Sequence, residues 1–263
     1  MKIIACIKQV PDSEAKVKAE GGQVSWGDAP LVINPFDEYA VEGALQQREA
    51  VSGSTVTALC IGPESAKEAL KHALAMGADD AILVSDLALS ELDTVGAARV
   101  LAAAISKIGG VDMVIFGRQT LDSGSGLTPA QTARVLGWPM LGLAGQIKVD
   151  AGSASSPQGV QVERVIEEGR QSVKANLPAI ISVVQSIGEP RYPSFMGIRK
   201  ASKATILVWS LSDLSMSAPA PLVTRSELMN PPARETTVEI ITGESPAEIA
   251  EKLADKLIAE KVL

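Results

Sequence analysis

Along the first half of the chain, short apolar runs alternate with segments of helical period. The runs at 2–7 (KIIACI), 55–61 (TVTALCI), 80–84 (DAILV) and 111–116 (VDMVIF) are of strand length and largely apolar throughout. They lack the strict in/out alternation of a half-wet strand, which predicts strands buried on both faces. Between and after them, segments at about 35–51, 64–76, 93–108 and 129–136 place apolar residues at helical spacing. Strand–helix alternation of this kind predicts an α/β fold, a Rossmann-like and mostly parallel sheet with flanking helices.

After Pro139 the texture changes. Residues 146–149, 160–166 and 171–174 predict a β-meander extension with a Gly/Ser-rich turn at 152–159, and the apolar run 177–184 returns as a buried strand. From about 211 the chain becomes Ser/Pro/Met-rich (SLSDLSMSAPAPLVTRSELMNPP, 210–232), a stretch that could hardly build a core of its own. It ends in a helix at 245–262 with Ile249, Leu253 and Leu257 on one face. Both a disordered tail and an extended arm fit the stretch. The amphipathic helix needs a surface to cover and favours the arm, so the expected division is a Rossmann-like nucleotide-binding domain over 1–210 and a C-terminal arm over 211–263.

Three helix starts carry capping chemistry. Asn34-Pro35 reads as a cap with Pro at the first helical position and Asp37 and Glu38 in the first turn. Thr128-Pro129-Ala130-Gln131 and Ser245-Pro246-Ala247-Glu248 read as capping boxes.

Composition narrows the function classes. Aromatics are only 3% of 263 residues, so the core is aliphatic and no base-stacking surface is available. With a net charge of −7 there is no basic field for phosphate backbones, and nucleic acid is excluded as a partner. The longest apolar run, 177–184, falls far short of the roughly 20 residues of a spanning helix, which predicts no membrane insertion. The N-terminus reads directly into a strand with no leader-like segment, and the expected location is the cytoplasm. Two cysteines, Cys6 and Cys60, both within strand-like runs, read as reduced core residues. With His72 the single histidine, and inside a helical pattern, neither a Cys/His zinc site nor a Ser-His-Asp hydrolase is supported. No nucleophile–base or paired-carboxylate arrangement is visible, so no catalytic residue and no metal ligand is assigned. A nucleotide-type domain without acid/base machinery reads more naturally as a cofactor-holding or carrier subunit than as a hydrolase.

The candidate chemistry lies in GRQTLDSGSGLTP at 117–129, between the 111–116 strand and the helix after it. In open α/β sheets, ligands bind beyond the carboxyl ends of the strands. Glycines at 124 and 126 let backbone amides approach an anion, and a helix N-terminus adds unsatisfied N–H groups. No Walker or GxGxxG pattern is present. On the residues alone, a phosphate cradle and a plain connecting loop both stand. The helix start at 34–37 has the same two readings: convergence on the same crevice, or simply a well-capped helix.

The runs ACIKQVPDSEAKVK, INPFDEYAVEGAL, ALAMGADDAILV, GRQTLDSGSG and GEPRYPSFMGIRKASKA, in this order, resemble the beta (small) subunit of electron-transfer flavoproteins over nearly the whole chain. The resemblance implies a heterodimer with an alpha subunit, and an FAD bound largely by that partner. It also implies transient docking of acyl-CoA or other flavin dehydrogenases, and AMP held by the beta subunit, or a second FAD in electron-bifurcating members. Carried over by position, the nucleotide site comprises Cys6, Asn34, Pro35, Phe36, Asp37, Ile61, Gly117, Arg118, Gln119, Thr120, Leu121, Asp122, Ser123, Gly124, Ser125, Gly126, Leu127 and Thr128. Asp122 and the amides after it would meet the phosphate end. The docking segment is 191–200, with Arg191, Tyr192, Phe195, Met196, Ile198 and Arg199; Phe195 stands where the family places a leucine-like anchor. A helix burying Phe195 and Ile198 is the competing reading of that segment. Arg164 matches an arginine of the subunit and flavin region, beside Val165 where an acidic residue is common. Arg118, Asp37 and Tyr39 resemble bifurcating members, but Asp122-Ser-Gly-Ser-Gly-Leu-Thr-Pro lacks an acidic side chain and an amide that those members carry. That departure favours AMP over a second FAD.

Overall fold

The computed structural model describes residues 1–90, 92–150, 159–224, 227–232 and 238–262. The Gly/Ser turn expected at 152–159 falls almost wholly outside them. The chain forms two compact units, Met1–Leu228 and Met229–Leu263.

In the first unit, the strands are β1 (Lys2–Ile7), β2 (Gln9–Pro11), β3 (Lys18–Glu20), β4 (Gln23–Ser25), β5 (Leu31–Ile33), β6 (Thr55–Ile61), β7 (Asp80–Val84), β8 (Met113–Gly117), β9 (Met140–Asp150), β10 (Gly159–Ile166), β11 (Gly169–Asn176), β12 (Ala179–Val183) and β13 (Leu207–Trp209). The helices are α1 (Pro35–Ala50), α2 (Lys67–Met76), α3 (Thr94–Ile108), α4 (Thr128–Leu136) and α5 (Phe195–Lys203). Nine strands form one sheet in the order β11-β10-β9-β12-β8-β1-β6-β7-β13. From β9 to β13 across the sheet every pairing is parallel, whereas β10 pairs antiparallel with both β9 and β11, which makes the meander an extension of the same sheet.

Period-2 geometry sends alternate side chains of each strand into separate cores. Ile3, Ala5 and Ile7 of β1 face a cluster containing Val41, Leu45 and Leu70 of α1 and α2, whereas Ile4 and Cys6 face one containing Val100, Ile105 and Ala133 of α3 and α4. Strands β8 and β12 are buried along their whole length, as expected of a sheet covered on both faces.

The compact unit runs past 210, where the sequence pattern ends. Leu211 and Leu214 are buried in the second core. Their turn is fixed from three sides: Leu211 N donates to Asp86 Oδ2 at 3.3 Å, Lys107 Nζ donates to the Asp213 carbonyl at 2.5 Å, and the same Nζ lies 5.2 Å from the Trp209 ring centroid. Farther on, Asp93 accepts N–H bonds from Leu222 (2.7 Å) and Val223 (3.2 Å) while also capping α3 through Gly96 N. Two leucines in a polar turn carry no periodic signal, so only the packing shows that this stretch belongs to the core.

The second unit contains α6 (Pro246–Ala259). Ser245 Oγ caps it as expected, accepting from Glu248 N at 3.3 Å, but Glu248 Oε2 accepts from Glu244 N at 2.8 Å, one residue before the cap, rather than from Ser245 N as a capping box would have it. Ile249, Leu253 and Ile258 are exposed.

Because Leu211 and Leu214 seal the second core, Leu211→Ala and Leu214→Ala are each expected to lower stability by about 2–4 kcal/mol in chemical unfolding. A stretch that merely began an arm would tolerate both changes with no measurable loss.

Candidate functional site

The chain runs from β1 to β6 and β7 on one side, then crosses through α3 to β8 on the other side of β1. The β1/β8 boundary is therefore the topological switch point, where adjacent connections diverge and leave a crevice beyond the strand ends.

The residues flanking this crevice are tied together by two buried side chains. Asn34, fully buried, donates from Nδ2 to the Gln119 carbonyl at 2.9 Å and accepts from Leu121 N at 3.1 Å, while its own N–H bonds the Lys8 carbonyl at 2.8 Å. It was expected to cap α1, but its side chain makes no cap bond and is spent instead on the loop after β8. Asp37, one helical turn on, accepts N–H bonds from Lys8 (2.8 Å) and from Gly117. One carboxylate thus joins the last peptides of the two strands that flank the switch point. Burial pushes Asp37 up from 3.8 to about 7, against the opposing effect of its Asn34, Lys8 and Gly117 hydrogen bonds. Gly117 is required here for space: a Cβ would stand 2.5 Å from Asp37 Oδ1 and 2.6 Å from the Phe36 carbonyl oxygen.

Across the crevice, Lys8 Nζ pairs with Asp122 Oδ2 at 2.5 Å. The other Asp122 oxygen is buried without a hydrogen-bond partner, and so is Gln131 Oε1 on the first turns of α4. The capping box expected from Thr128 and Gln131 does not form, because the helix starts early enough to make Leu127 the cap residue, with no side-chain cap bond. The opening of α4 therefore offers backbone N–H groups with no side-chain acceptor, next to two acceptors with no donor. Gly124 and Gly126 both take positive φ, and residues 123–127 are exposed. A nucleotide suits this donor set: phosphate oxygens for the amides, hydroxyl or amino donors for Asp122 and Gln131.

Of the residues predicted for the site, Asn34, Asp37, Gly117, Gln119, Leu121 and Asp122 are brought together by these bonds. Cys6 is the penultimate residue of β1 and Ile61 the last of the adjacent β6, the Phe36 carbonyl lies close against Gly117, and Pro35 and Arg118 are exposed. Sequence reasoning missed Lys8 and Gln131; a cation immediately after the first strand was the available signal for Lys8. The two cysteines are free thiols on opposite faces of the sheet. Burial raises both, Cys60 to about 12, so neither is a thiolate near neutral pH.

Arg164 lies on the meander rather than in this crevice, and its side chain donates to the Gly142 carbonyl (2.9 Å) and Gln171 Oε1 (3.0 Å). At the neighbouring bulge Leu143 takes φ +59°, with its N–H on Ser182 Oγ at 3.2 Å.

In the 191–200 segment an irregular stretch, 191–194, leads into α5. Ser194 Oγ caps the helix through Gly197 N at 2.9 Å. Phe195 is 80% exposed, Met196 70%, Ile198 53% and Tyr192 92%, so the helix does not bury its large apolar residues. Its inward side is small: Ala201 is buried, and a Cβ on Gly197 would overlap the Ala75 carbonyl oxygen at the end of α2. Among the described residues, no cluster of His, Cys, Asp and Glu could hold a metal ion, and no helix is long and apolar enough to cross a membrane.

Fold and crevice together define a Rossmann-like α/β domain with its candidate ligand site at the switch point. The sequence signature described as "Electron transfer flavoprotein domain" matches residues 26–214. The chain is 34% identical over 269 residues to the caffeyl-CoA reductase-Etf complex subunit CarD of Acetobacterium woodii, covering 100% of both proteins. It is 31% identical over 276 residues to the electron transfer flavoprotein subunit beta of Megasphaera elsdenii, again covering 100% of both. To the beta subunit of Bacillus subtilis it is 33% identical over 263 residues, covering 99% of this chain and 98% of that protein. The chain belongs to the electron transfer flavoprotein family, with the beta subunits, and its role is electron transfer.

Two outcomes follow from the Asp37 junction. Gly117→Ala should destabilise the fold by about 1–3 kcal/mol, read by urea unfolding. A carboxyl raised from 3.8 to about 7 favours folding fully below its unfolded value and loses that contribution as pH rises through 7. The stability of the native chain relative to Asp37→Asn should therefore fall between pH 4 and 8, by at most roughly 4 kcal/mol; a difference independent of pH would contradict a buried, proton-retaining Asp37.

Proposed function

We propose that this chain is the beta subunit of a heterodimeric electron-transfer flavoprotein that holds AMP in the β1/β8 crevice. With an alpha subunit it encloses an FAD, and it receives electrons from flavin dehydrogenases that dock on 191–200. The observation that carries the nucleotide reading is the juxtaposition of the uncapped α4 terminus with the partnerless Asp122 and Gln131 oxygens, held by Asn34 and Asp37.

In this reading the amides opening α4, with the backbone freedom of Gly124 and Gly126, bind the phosphate. Lys8 balances the Asp122 carboxylate so that the acid does not repel it. Asp122 and Gln131 accept from the sugar or base. Asn34 and Asp37 touch no ligand atom through their side chains, which are committed to backbone, and instead fix the loop that does. FAD, when bound, supplies the reversible uptake and release of electrons; AMP supplies none and is structural. Arg164 and the meander belong to the face turned toward the alpha subunit and its flavin. The C-terminal part of 211–263, with Ile249, Leu253 and Ile258 exposed on α6, offers that partner an apolar surface.

A second reading is supported by the similarity to CarD, a subunit of a caffeyl-CoA reductase–Etf complex, and by Arg118: a bifurcating subunit with a second FAD, reduced by NADH, in place of AMP. Acid extraction of the purified two-subunit complex separates the two. One FAD and one AMP per complex is the expected result; two FAD establish the second reading, and no flavin overturns both.

Docking is checked separately. Phe195→Ala should raise the KM for an acyl-CoA dehydrogenase that reduces the complex by roughly 5–150-fold, the equivalent of losing one hot-spot anchor, with flavin content unchanged. An unaltered KM would contradict docking through α5.

A further inference from the structure

Arg191 sits among exposed residues at the head of α5, and its type suggests a cation offered to a partner. The structure commits it elsewhere. Its backbone N–H and Nε both donate to Glu42 Oε2 (3.1 and 2.8 Å), and Nη2 donates to Glu42 Oε1 at 2.9 Å. On the other side Nη1 reaches Glu49 Oε1 at 2.6 Å. Glu42 and Glu49 lie on α1, two turns apart, and 149 and 142 residues from Arg191 in sequence. Glu42 is almost fully buried, its carboxylate only 7% exposed.

A planar fork that grips one carboxylate on two edges and a second on a third donor fixes orientation as well as distance. Burial alone would push Glu42 up, but the Arg191 hydrogen bonds outweigh it and hold Glu42 below its ordinary value; Glu49 is lowered by the same guanidinium. The charge of Arg191 is therefore answered within the chain. Beside it, Gln46 donates to the Ile187 carbonyl at 3.2 Å, so α1 grips the approach to α5 at two points.

Two further constraints fix the helix itself: the Ser194 cap, and the close approach of Gly197 to the Ala75 carbonyl. Small residues face inward at 197 and 201, which turns Phe195, Met196 and Ile198 outward. A short helix with its apolar face in water has little burial to hold it, so its presentation depends on these anchors. Of them, only the Arg191 pair crosses from the docking segment to a charged partner in the interior.

We infer that Arg191, clamped by Glu42 and Glu49 of α1, is a positioning residue that presents the apolar face of α5 to an incoming dehydrogenase, rather than a contact residue for it. This rests on the docking reading above and deepens it. Pre-ordering the helix removes the cost of ordering it on each encounter, which suits brief, repeated docking.

The test uses the two-subunit holoprotein and an acyl-CoA dehydrogenase that reduces it. Arg191→Lys keeps the charge but loses the fork, and the double variant Glu42→Gln with Arg191→Gln keeps hydrogen-bonding groups while leaving no buried charge if the single change does not fold. Each should raise the KM about tenfold with the maximal rate changed less than twofold, because encounter and not chemistry is impaired. Amide hydrogen exchange at 195–201 should speed up in both variants, with flavin content and melting temperature close to those of the native complex. If KM and exchange in folded variants stay at native values while Phe195→Ala raises KM, the positioning role is wrong and docking through α5 stands. If Phe195→Ala also leaves KM unchanged, the docking reading fails and the inference with it.

Discussion

The Asp37 carboxylate, accepting the terminal N–H groups of β1 and β8, holds together the two strands between which the sheet reverses its order. At a switch point adjacent connections diverge, and the crevice left beyond the strand ends is where open α/β sheets bind ligands. Here one buried acid sets the spacing. It forces a glycine at 117, because no Cβ fits between it and the Phe36 carbonyl. It also fixes where the 117–128 loop departs, and Asn34 then fixes how that loop runs by bonding its backbone at Gln119 and Leu121. The strand ends and the loop are set by side chains committed to backbone, while Lys8 pairs with Asp122, and Asp122 Oδ1 and Gln131 Oε1 are buried without a hydrogen-bond partner.

Helix α1 carries this arrangement and a second one. Its N-cap residue and first turn supply Asn34 and Asp37; its later turns supply Glu42, Gln46 and Glu49 to the segment that leads into α5. A single rigid element thus sets the geometry of the ligand crevice at one end and of an exposed apolar helix farther along. In the reading proposed above, the nucleotide and the docking face keep a fixed relation to one scaffold, the 16-residue helix α1.

What the sequence disclosed follows from the range of its signals. Apolar runs and helical periods are local, so β1, β6, β7 and β12 and the helices between them were legible within a residue or two. The residues alone left the convergence of 34–37 and 117–128 open; the Asn34 bonds to Gln119 and Leu121 are what join those segments. The role of Asn34 was not, since an asparagine before proline at a helix start reads equally well as a cap. The cap expected at Thr128 failed by a shift of one residue in the start of α4, the usual scale of boundary error. Lys8–Asp122 and Arg191–Glu42 join residues 114 and 149 positions apart, and no periodicity records such pairs. The burial of Leu211 and Leu214 depended on Asp86, Lys107 and Trp209 closing a polar turn onto the sheet.

The central claim is that a nucleotide occupies the β1/β8 crevice, held by the opening of α4. Amide hydrogen exchange of the two-subunit complex, stripped of small molecules and then resupplied with AMP, reads this directly. Slowed exchange concentrated at 119–133, with Asn34 and its neighbours following, is the expected result. Exchange in that loop that is indifferent to AMP and to FAD alike, or protection confined to another part of the chain, would contradict it.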